Sequence, residues 1–179
     1  PGYDVIVRGE AGIMALTGPR DGAPHKVGPS IADLVSGLTL TQGILAALLV
    51  RQRTGLGQRV HVSMLEAVAA LLTFNAGIYF ATGASPRRRG NEHPTIVPYE
   101  TFEAADGWLN LGIANDDHWR AFCAAVGRSD LALDPHYAHA ADRVRHRDTL
   151  LPIVRQIIGA RTRDDWLALL GRLGIPCGA

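Results

Sequence analysis

The pattern of apolar positions predicts two long helices in the first half of the chain. Residues 34–50 carry no charged side chain, and residues 67–82 are comparably apolar. Such segments approach the length of a membrane-spanning helix. Ser, Thr, Gln and Gly residues interrupt the first one, however, so a pair of helices buried in a protein core explains the pattern better.

Local signals define the ends of the first long helix. Ser30 is a good N-cap, and Asp33 follows three residues later in an arrangement that resembles a capping box. The helix then continues to about Arg53 and ends at Gly55 or Gly57, because glycine readily adopts the left-handed conformation that closes a helix.

The segments around this helix are assigned in the same way. Residues 4–16 are apolar at a spacing that fits either a strand or a helix, and residues 17–29 are rich in turn formers and form a loop. Residues 58–63 alternate and predict a short strand. Ser63 and Glu66 form a second capping box for a helix that ends at about Thr82.

The second half of the chain predicts a hairpin followed by helices. Residues 84–95 form a polar loop, and an Asp-Gly turn then separates two apolar alternating segments. The predicted elements are strands 96–103 and 108–113, and helices 116–126, 143–158 and 163–173. Pro152 predicts a kink or break, and Thr162 is the N-cap of the last helix.

Composition excludes several function classes. The net charge of +1 is too small to indicate nucleic-acid binding. The two cysteines, Cys123 and Cys177, form no CxxC pattern, and Cys123 lies in an apolar helical segment. Because so few cysteines give no disulfide framework, a reducing, cytoplasmic location is expected. No HExxH spacing occurs, so no metal site is predicted. The basic run Arg87–Arg89 fits a solvated loop or, alternatively, a phosphate contact.

Four separated motifs resemble the class III CoA-transferases, the CaiB/BaiF family that includes carnitine CoA-transferase and formyl-CoA transferase. They occur in the same order as in that family and together cover essentially the whole chain. The motifs are PGYDVIVRGEAGIMALTG at 1–18, GPSIADLVSGLTLTQGILAALLVRQRTGLGQRVHVSMLEA at 28–67, RRRGNEHPTIVPYETFEAADGWLNLGIANDDHW at 87–119 and LGIPCG at 173–178.

The resemblance implies an α/β fold, mixed α+β in this piece, and an incomplete chain. The family has a Rossmann-like large domain built from both chain ends, a smaller inserted domain, and an interlocked homodimer. Residues 1–55 then belong to the large domain with the catalytic segment and long helix, 56–83 to a strand and connecting helix, and 84–179 to the small domain. The N-terminal half and the C-terminal return of the large domain are expected to lie outside this sequence.

The resemblance also identifies a nucleophile. Asp33, in the motif Ile31-Ala32-Asp33, matches the carboxylate that attacks acyl-CoA and forms a mixed anhydride. A carboxylate in the first turn of a helix is favoured as the anion by the helix dipole. On the residues alone, a capping box explains Asp33 better than a nucleophile does, and the family match reverses this preference. The expected substrates are a coenzyme A thioester and a carboxylic acid acceptor, with no covalently bound cofactor, no nucleic acid and no membrane.

Further positions match segments that contact substrate in the family. They are Tyr3, Asp4, Gly90, Asn91, His93 and Asn115. The glycine loop at Gly90-Asn91 is expected to lie over the active site and to donate N–H groups to an oxyanion or exclude water. Each has a simpler alternative: a surface turn for the loop, a core residue for Tyr3, and an N-cap for Asn115.

Two alternatives to CoA transfer stay open. The related alpha-methylacyl-CoA racemases need an acid/base pair, and the resemblance implies His and Glu where this chain has Tyr3 and Asn115. A second alternative is a non-catalytic dimerisation module whose apolar helices need a partner. The acids themselves are not readable, although Arg87–Arg89 fit the distal carboxylate of a short dicarboxylate.

Overall fold

The computed structural model describes residues 2–179, which divide into two compact units with the boundary between Gly90 and Asn91. This boundary follows from contacts within the chain. The sequence-based division at residues 55/56 and 83/84 concerns the domains of a longer protein and stays a prediction.

The regular elements among the described residues of the first unit are all helices. The ambiguous segment 4–16 is helical, because its apolar residues pack against the first long helix rather than against a strand. The helices are α1 (Asp4–Glu10), α2 (Ile13–Leu16), α3 (Ile31–Thr54), α4 (Met64–Ala69) and α5 (Thr73–Thr82), with a 3₁₀ turn at Ala70–Leu72 between the last two.

Helix α3 has the predicted bounds but not the predicted start signal. Gly55 closes the helix at φ +73°, as glycine at this position is expected to do. The Ser30 side chain, however, makes no capping hydrogen bond, and the predicted Ser30–Asp33 capping box is therefore wrong. The first turn obtains its side-chain acceptor from α1 instead, as described below.

The strand predicted at residues 58–63 is also wrong. This segment is extended, but the described residues of the first unit contain no strand with which it can pair. It lies across α3 at Gly43, where an added Cβ would stand 2.8 Å from Cγ1 of Val60. Its alternating pattern therefore reflects packing of one face against a helix, not a β-ladder.

The second long helix is interrupted. Ser63 caps it as predicted, accepting the Glu66 N–H at 3.3 Å, but the α-helix stops at Ala69. After the 3₁₀ turn, Thr73 has φ +42°, an unusual conformation for a β-branched residue. Gly83 then ends α5 as expected.

The second unit is a three-stranded antiparallel sheet covered by helices. The predicted hairpin is confirmed, with Tyr99 opposite Gly112 and Ala104 opposite Gly107, and a short third strand pairs with its second strand. The elements are β1 (Tyr99–Ala104), β2 (Gly107–Gly112), α6 (Asp116–Ala125), α7 (Ser129–Leu133), α8 (Ala140–Arg145), α9 (Arg147–Gly159), α10 (Arg163–Arg172) and β3 (Cys177–Gly178).

Helix α9 is continuous through Pro152, so the predicted break at that residue is wrong. Pro152 is exposed while Leu151 and Val154 are buried, and this packing holds the helix against the sheet. The break falls earlier, at His146, between α8 and α9. The aromatic centre of the unit is formed by Trp119, Phe122 and Trp166, which are fully buried.

Helices α3 and α5 expose much of their apolar surface in this chain. Ala32 is the buried residue of α3, whereas Leu38, Leu45 and Leu49 are more than half exposed and Phe80 of α5 is 82% exposed. Residues 31–54 and 64–82 pass length and composition criteria for membrane spans, a weak indication for one or two helices. The burial predicted for these two helices is therefore absent within residues 2–179, and their apolar side chains form exposed patches.

Candidate active site

Asp33 lies in the first turn of α3 with an exposed carboxylate. The carboxylate makes no hydrogen bond or ion pair within residues 2–179. Asp33 is therefore an available carboxylate rather than a capping group.

Asp4 performs the capping that the sequence assigned to Ser30 and Asp33. Its Oδ1 accepts the backbone N–H of Ala32 at 2.9 Å, and its Oδ2 pairs with Arg8. Arg8 is 2% exposed and also donates to the carbonyl oxygen of Val27 at 2.7 Å. Since both carboxylate oxygens have partners inside the chain, Asp4 has a structural function next to the candidate nucleophile.

Tyr3 precedes Asp4 and projects into solvent. Its side chain is 86% exposed, while its carbonyl oxygen accepts the N–H groups of Ile6 and Val7 at the start of α1. The simpler alternative, a core tyrosine, does not hold in this chain. The capping bond from Asp4 to Ala32 places the Tyr3-Asp4 segment and the Ala32-Asp33 segment side by side.

The loop that leads to Gly90 is tied to the loop of residues 17–29. Gly90 has φ +60°, and its N–H donates to the carbonyl oxygen of Gly18 at 3.0 Å. Arg88 donates to the carbonyl oxygens of Gly22 at 2.7 Å and Ala15 at 3.3 Å. The Gly90 N–H is thus occupied in this structure, and Arg88 is committed to backbone rather than to a substrate.

His93 belongs to the second unit and is held in place at several points. Its N–H donates to the carbonyl oxygen of Tyr99 at 2.9 Å, and its ring packs against the Tyr99 ring with centroids 5.1 Å apart. The Thr95 N–H donates to Nδ1 of His93 at 3.2 Å. Burial, and then the Arg147 charge, lower the pKa of His93, so the ring is neutral at pH 7.

Asn91 lines a cavity of about 450 Å³ beside the sheet. The residues around it come from all three strands and include Tyr99, Thr101, Asn110, Gly112 and Cys177. Thr101 Oγ1 donates to Oδ1 of Asn110 at 2.7 Å. The side-chain amides of Asn91 and Asn110 and the hydroxyl of Thr101 suit a neutral polar ligand better than a carboxylate.

Asn115 is the N-cap of α6. Its Oδ1 accepts the His118 N–H at 2.8 Å, so Asn115 has the predicted N-cap geometry, and its substrate contact stays a prediction. Asn115 is exposed and does not line the cavity that contains Asn91. The structure therefore brings Tyr3, Asp4 and Asp33 together in one unit, and in the other it separates Asn115 from Asn91.

A buried acidic side chain lies below the candidate loop. Glu100 has a side chain only 4% exposed, and its Oε1 accepts from Arg155 Nε at 3.1 Å and Nη2 at 2.7 Å. Burial raises the pKa of Glu100 more than the Arg155 charge lowers it. Arg155 also lies 3.6 Å from the Glu92 carboxylate, which links this group to the loop.

Comparison with known proteins places these features in a family. The model described as CoA-transferase family III matches residues 1–179. Succinyl-CoA:mesaconate CoA-transferase from Haloarcula marismortui is 42% identical over 170 residues, covering 95% of this chain and 42% of the relative. Succinate–glutarate CoA-transferase from Agrobacterium fabrum is 38% identical over 181 residues, covering 99% of this chain and 44% of the relative.

The chain belongs to CoA-transferase family III. A solved structure of a CAIB/BAIF family protein from Brucella suis matches with a TM-score of 0.82 and 36% identity, over 99% of this chain and 47% of that one. The mixture of helices and a small sheet is thus the α/β arrangement of part of a CaiB/BaiF protein. This chain spans less than half the length of these relatives.

Sequence reasoning missed the arginines that organise the family III segments. Arg8, Arg88 and Arg147 each bind backbone carbonyl oxygens 19 or more residues away along the chain. No local motif marks such a residue, because an arginine in a surface loop and one in a buried clamp have the same sequence neighbours. A weak signal was the excess of arginine over lysine among the basic residues.

Within residues 2–179, no group of three or more His, Cys, Asp or Glu side chains is placed to hold a metal ion. Cys123 is fully buried, as expected of a small hydrophobe, and burial raises the pKa of its thiol to about 12. Cys177 is a half-buried free thiol.

Proposed function

We propose that this chain carries the nucleophile and the small domain of a CoA-transferase that moves CoA between carboxylic acids through Asp33. The observation that carries the proposal is the exposed, unpaired carboxylate of Asp33 in the first turn of α3, while Asp4 satisfies the helix end. Because Asp4 accepts the Ala32 N–H, the Asp33 oxygens stay available for attack. Family membership supports the same reaction class.

The proposed reaction proceeds through two kinds of acyl-enzyme. An Asp33 oxygen attacks the donor acyl-CoA carbonyl, expels CoA thiolate and forms a mixed anhydride. The thiolate attacks the aspartyl carbonyl, which releases the donor acid and leaves an aspartyl-CoA thioester. The acceptor carboxylate attacks that thioester carbonyl, again expelling CoA thiolate, and the thiolate then attacks the acceptor acyl carbon. The products are acceptor acyl-CoA and the free Asp33 carboxylate.

Short dicarboxylic acids are the proposed substrates. The names of two relatives specify succinyl-CoA with mesaconate and succinate with glutarate. A distal carboxylate requires a cation, and Arg88 is excluded because its terminal nitrogens bind backbone carbonyls. Arg87 is exposed and makes no hydrogen bond or ion pair within residues 2–179, so it is the better candidate of this pair.

The racemase alternative is not favoured. A racemase needs two groups that exchange protons beside the thioester, and neither Tyr3 nor Asn115 supplies the required His or Glu. Asn115 is moreover engaged as an N-cap.

The Rossmann-like large domain and the interlocked homodimer belong to the proposal for the complete protein. The exposed apolar residues of α3 and α5 support it, because surfaces of this kind are normally covered by another part of the protein or by a partner. A cytoplasmic location is also proposed, since Cys123 and Cys177 are free thiols.

A matched pair of substitutions in the full-length enzyme tests the nucleophile. Asp33→Ala should lower CoA transfer by at least about 10³-fold, because the covalent route is lost. Asp164→Ala is the control, since Asp164 is likewise an exposed acid in the first turn of a helix, α10. Hydroxylamine added with acyl-CoA should convert Asp33 to the hydroxamate. Exchange of CoA by the Asp33→Ala enzyme would disprove the proposal.

The chain alone provides a second test. It should bind CoA weakly or not at all in calorimetry, because most of the CoA contacts are proposed to lie in the remainder of the polypeptide. Tight binding by the 179-residue chain would contradict this part of the proposal.

A further inference from the structure

Helix α3 begins after a segment without regular structure of its own. Residues 17–30 form neither helix nor strand, and the Ser30 side chain makes no capping hydrogen bond. One local contact is present, since the Pro29 carbonyl oxygen accepts the Ile31 N–H at 2.9 Å. The first N–H groups of a helix lack partners within it. The orientation of this first turn, which carries Asp33, therefore depends on contacts from elsewhere in the unit.

Arg8 of α1 supplies contacts on both sides of this helix start. Its Nη1 donates to the carbonyl oxygens of Val27 at 2.7 Å and Pro29 at 3.2 Å. Its Nη2 pairs with Oδ2 of Asp4, whose Oδ1 accepts the Ala32 N–H at 2.9 Å. One guanidinium and its counter-charge thus bind the chain before the helix and inside its first turn.

The contacts of Arg8 require an arginine. The Arg8 side chain is 2% exposed and the Asp4 side chain 12%, so the charge pair is largely removed from water. A planar guanidinium directs several N–H groups at fixed angles, whereas a lysine ammonium is a compact point charge. Lysine can therefore keep the attraction to Asp4 but not the hydrogen bonds to both backbone carbonyl oxygens at the same time.

We propose that Arg8 is a positioning residue that sets, through Asp4, the direction in which the Asp33 carboxylate projects from α3. The inference rests on the proposed function, in which Asp33 attacks an acyl-CoA carbonyl. Asp33 directly follows Ala32, so a change in the orientation of the first turn moves its carboxylate. Attack is efficient only when the reacting atoms lie about 3–3.5 Å apart with their orbitals aligned. Loosening these contacts therefore slows the attack and leaves the nucleophile present.

Arg143 offers a matched control for a purely structural effect. It is fully buried and pairs with Asp116 at 2.9 Å, and it donates to the carbonyl oxygens of Val97 at 2.9 Å and Tyr137 at 3.1 Å. Its hydrogen-bond partners among residues 2–179 all lie in the second unit. Weakening these contacts should destabilise the protein without moving Asp33.

The test is a single turnover of full-length enzyme with labelled acyl-CoA and no acceptor acid. Each active site should release one equivalent of labelled donor acid, because the thiolate attacks the aspartyl carbonyl and frees that acid. The amplitude of this burst counts folded active sites, and its rate constant at saturating acyl-CoA reports the chemistry at Asp33.

Arg8→Lys should lower the burst rate constant at least about tenfold, because small displacements of a reacting group have effects of this order. The acyl-CoA concentration that gives half of the maximal rate should stay at the wild-type value. Arg143→Lys should lower the melting temperature and leave the rate constant unchanged, since loss of folded protein affects only the amplitude.

A wild-type rate constant in folded Arg8→Lys enzyme overturns the inference, and so does an equal decrease in Arg143→Lys. If Arg8→Lys does not fold, Asp4→Glu decides, since it keeps both charges and moves the acceptor of the Ala32 N–H by one methylene. Asp4→Glu should likewise slow the burst, and a wild-type rate constant there also overturns the inference. Failure of the proposed function is seen separately, as wild-type enzyme that releases no donor acid or Asp33→Ala enzyme that keeps the full burst.

Discussion

The carboxylate of Asp4 accepts the backbone N–H of Ala32, with 2.9 Å between Oδ1 and N. This bond crosses from α1 to the first turn of α3 and replaces the local cap that Ser30 was expected to provide. Because Asp4 also pairs with the buried Arg8, it couples the two helices through one side chain. The residue next to Ala32 is Asp33, whose own oxygens make no hydrogen bond or ion pair within residues 2–179.

The first prediction concerns which side chain caps α3, Asp4 or Ser30. Asp4→Asn should lower the free energy of unfolding by about 3 kcal/mol, because it leaves Arg8 buried without its counter-charge. Ser30→Ala should change it by less than about 0.5 kcal/mol, since Ser30 makes no capping bond. Urea unfolding followed by circular dichroism measures both. A larger loss for Ser30→Ala than for Asp4→Asn would contradict the assignment of the cap.

The second prediction concerns pH. The pKa of Glu100 is raised above its ordinary 4.5 by burial, so the folded state binds this proton more tightly than the unfolded state. The protonated carboxyl therefore stabilises the fold at low pH, and this contribution is lost as the pH rises through the folded-state pKa. Glu92, Arg147 and Arg155 are the charged neighbours that modulate it.

Glu100→Gln tests this dependence. The difference in unfolding free energy, wild type minus variant, should decrease as the pH is raised from about 4.5 to about 7, because only the wild type loses the proton. Urea titrations at four pH values within this range provide the measurement. A difference that increases with pH would show that the Arg155 pairing outweighs burial.

The third prediction concerns the two thiols. Burial raises the pKa of Cys123 to about 12, and the side chain is fully buried, so it should not react with a thiol reagent at pH 8 until the chain unfolds. Cys177 is half-buried and lines the cavity that contains Asn91, so it should react in the native state. Mass spectrometry of labelled peptides distinguishes the two. Native labelling at Cys123 would contradict the packing described.

The fourth prediction concerns the exposed face of α3. The isolated chain should self-associate and bind an apolar dye, because Leu38, Leu45 and Leu49 present uncovered apolar surface. Replacing all three with Gln should reduce both signals. Leu133→Gln is the control, since Leu133 is 80% exposed but lies on α7 of the second unit. Equal effects of the triple variant and the control in sedimentation experiments would refute the role of this face.

Much of the candidate site was accessible from the sequence only through the family motif. Asp33 was identified by the Ile31-Ala32-Asp33 match, and its position in a first helical turn followed from local signals. The sequence could not predict that Asp33 does not cap its own helix. The cap comes from Asp4, which lies 28 residues before Ala32, the residue whose N–H it accepts. The catalytic role of Asp33 stays a prediction that the substitution experiment decides.

The sequence by itself determined the features that depend on a few neighbouring residues. The end of α3 at Gly55, the cap at Ser63 and the hairpin through Asp106-Gly107 follow from conformational preferences and hydrogen bonds within about four residues. The burial of Cys123 followed from the apolar character of its own helix.

Only the tertiary structure decided the features that depend on distant partners. The extended residues 58–63 lack a neighbouring strand, and Pro152 is retained in α9 because the flanking residues pack into the core. Arg147 reaches residues 92–94 across more than 50 positions. Such contacts depend on where the folded chain brings a side chain. A hydrogen bond to a residue far along the chain cannot be recognised from the residues adjacent to its donor.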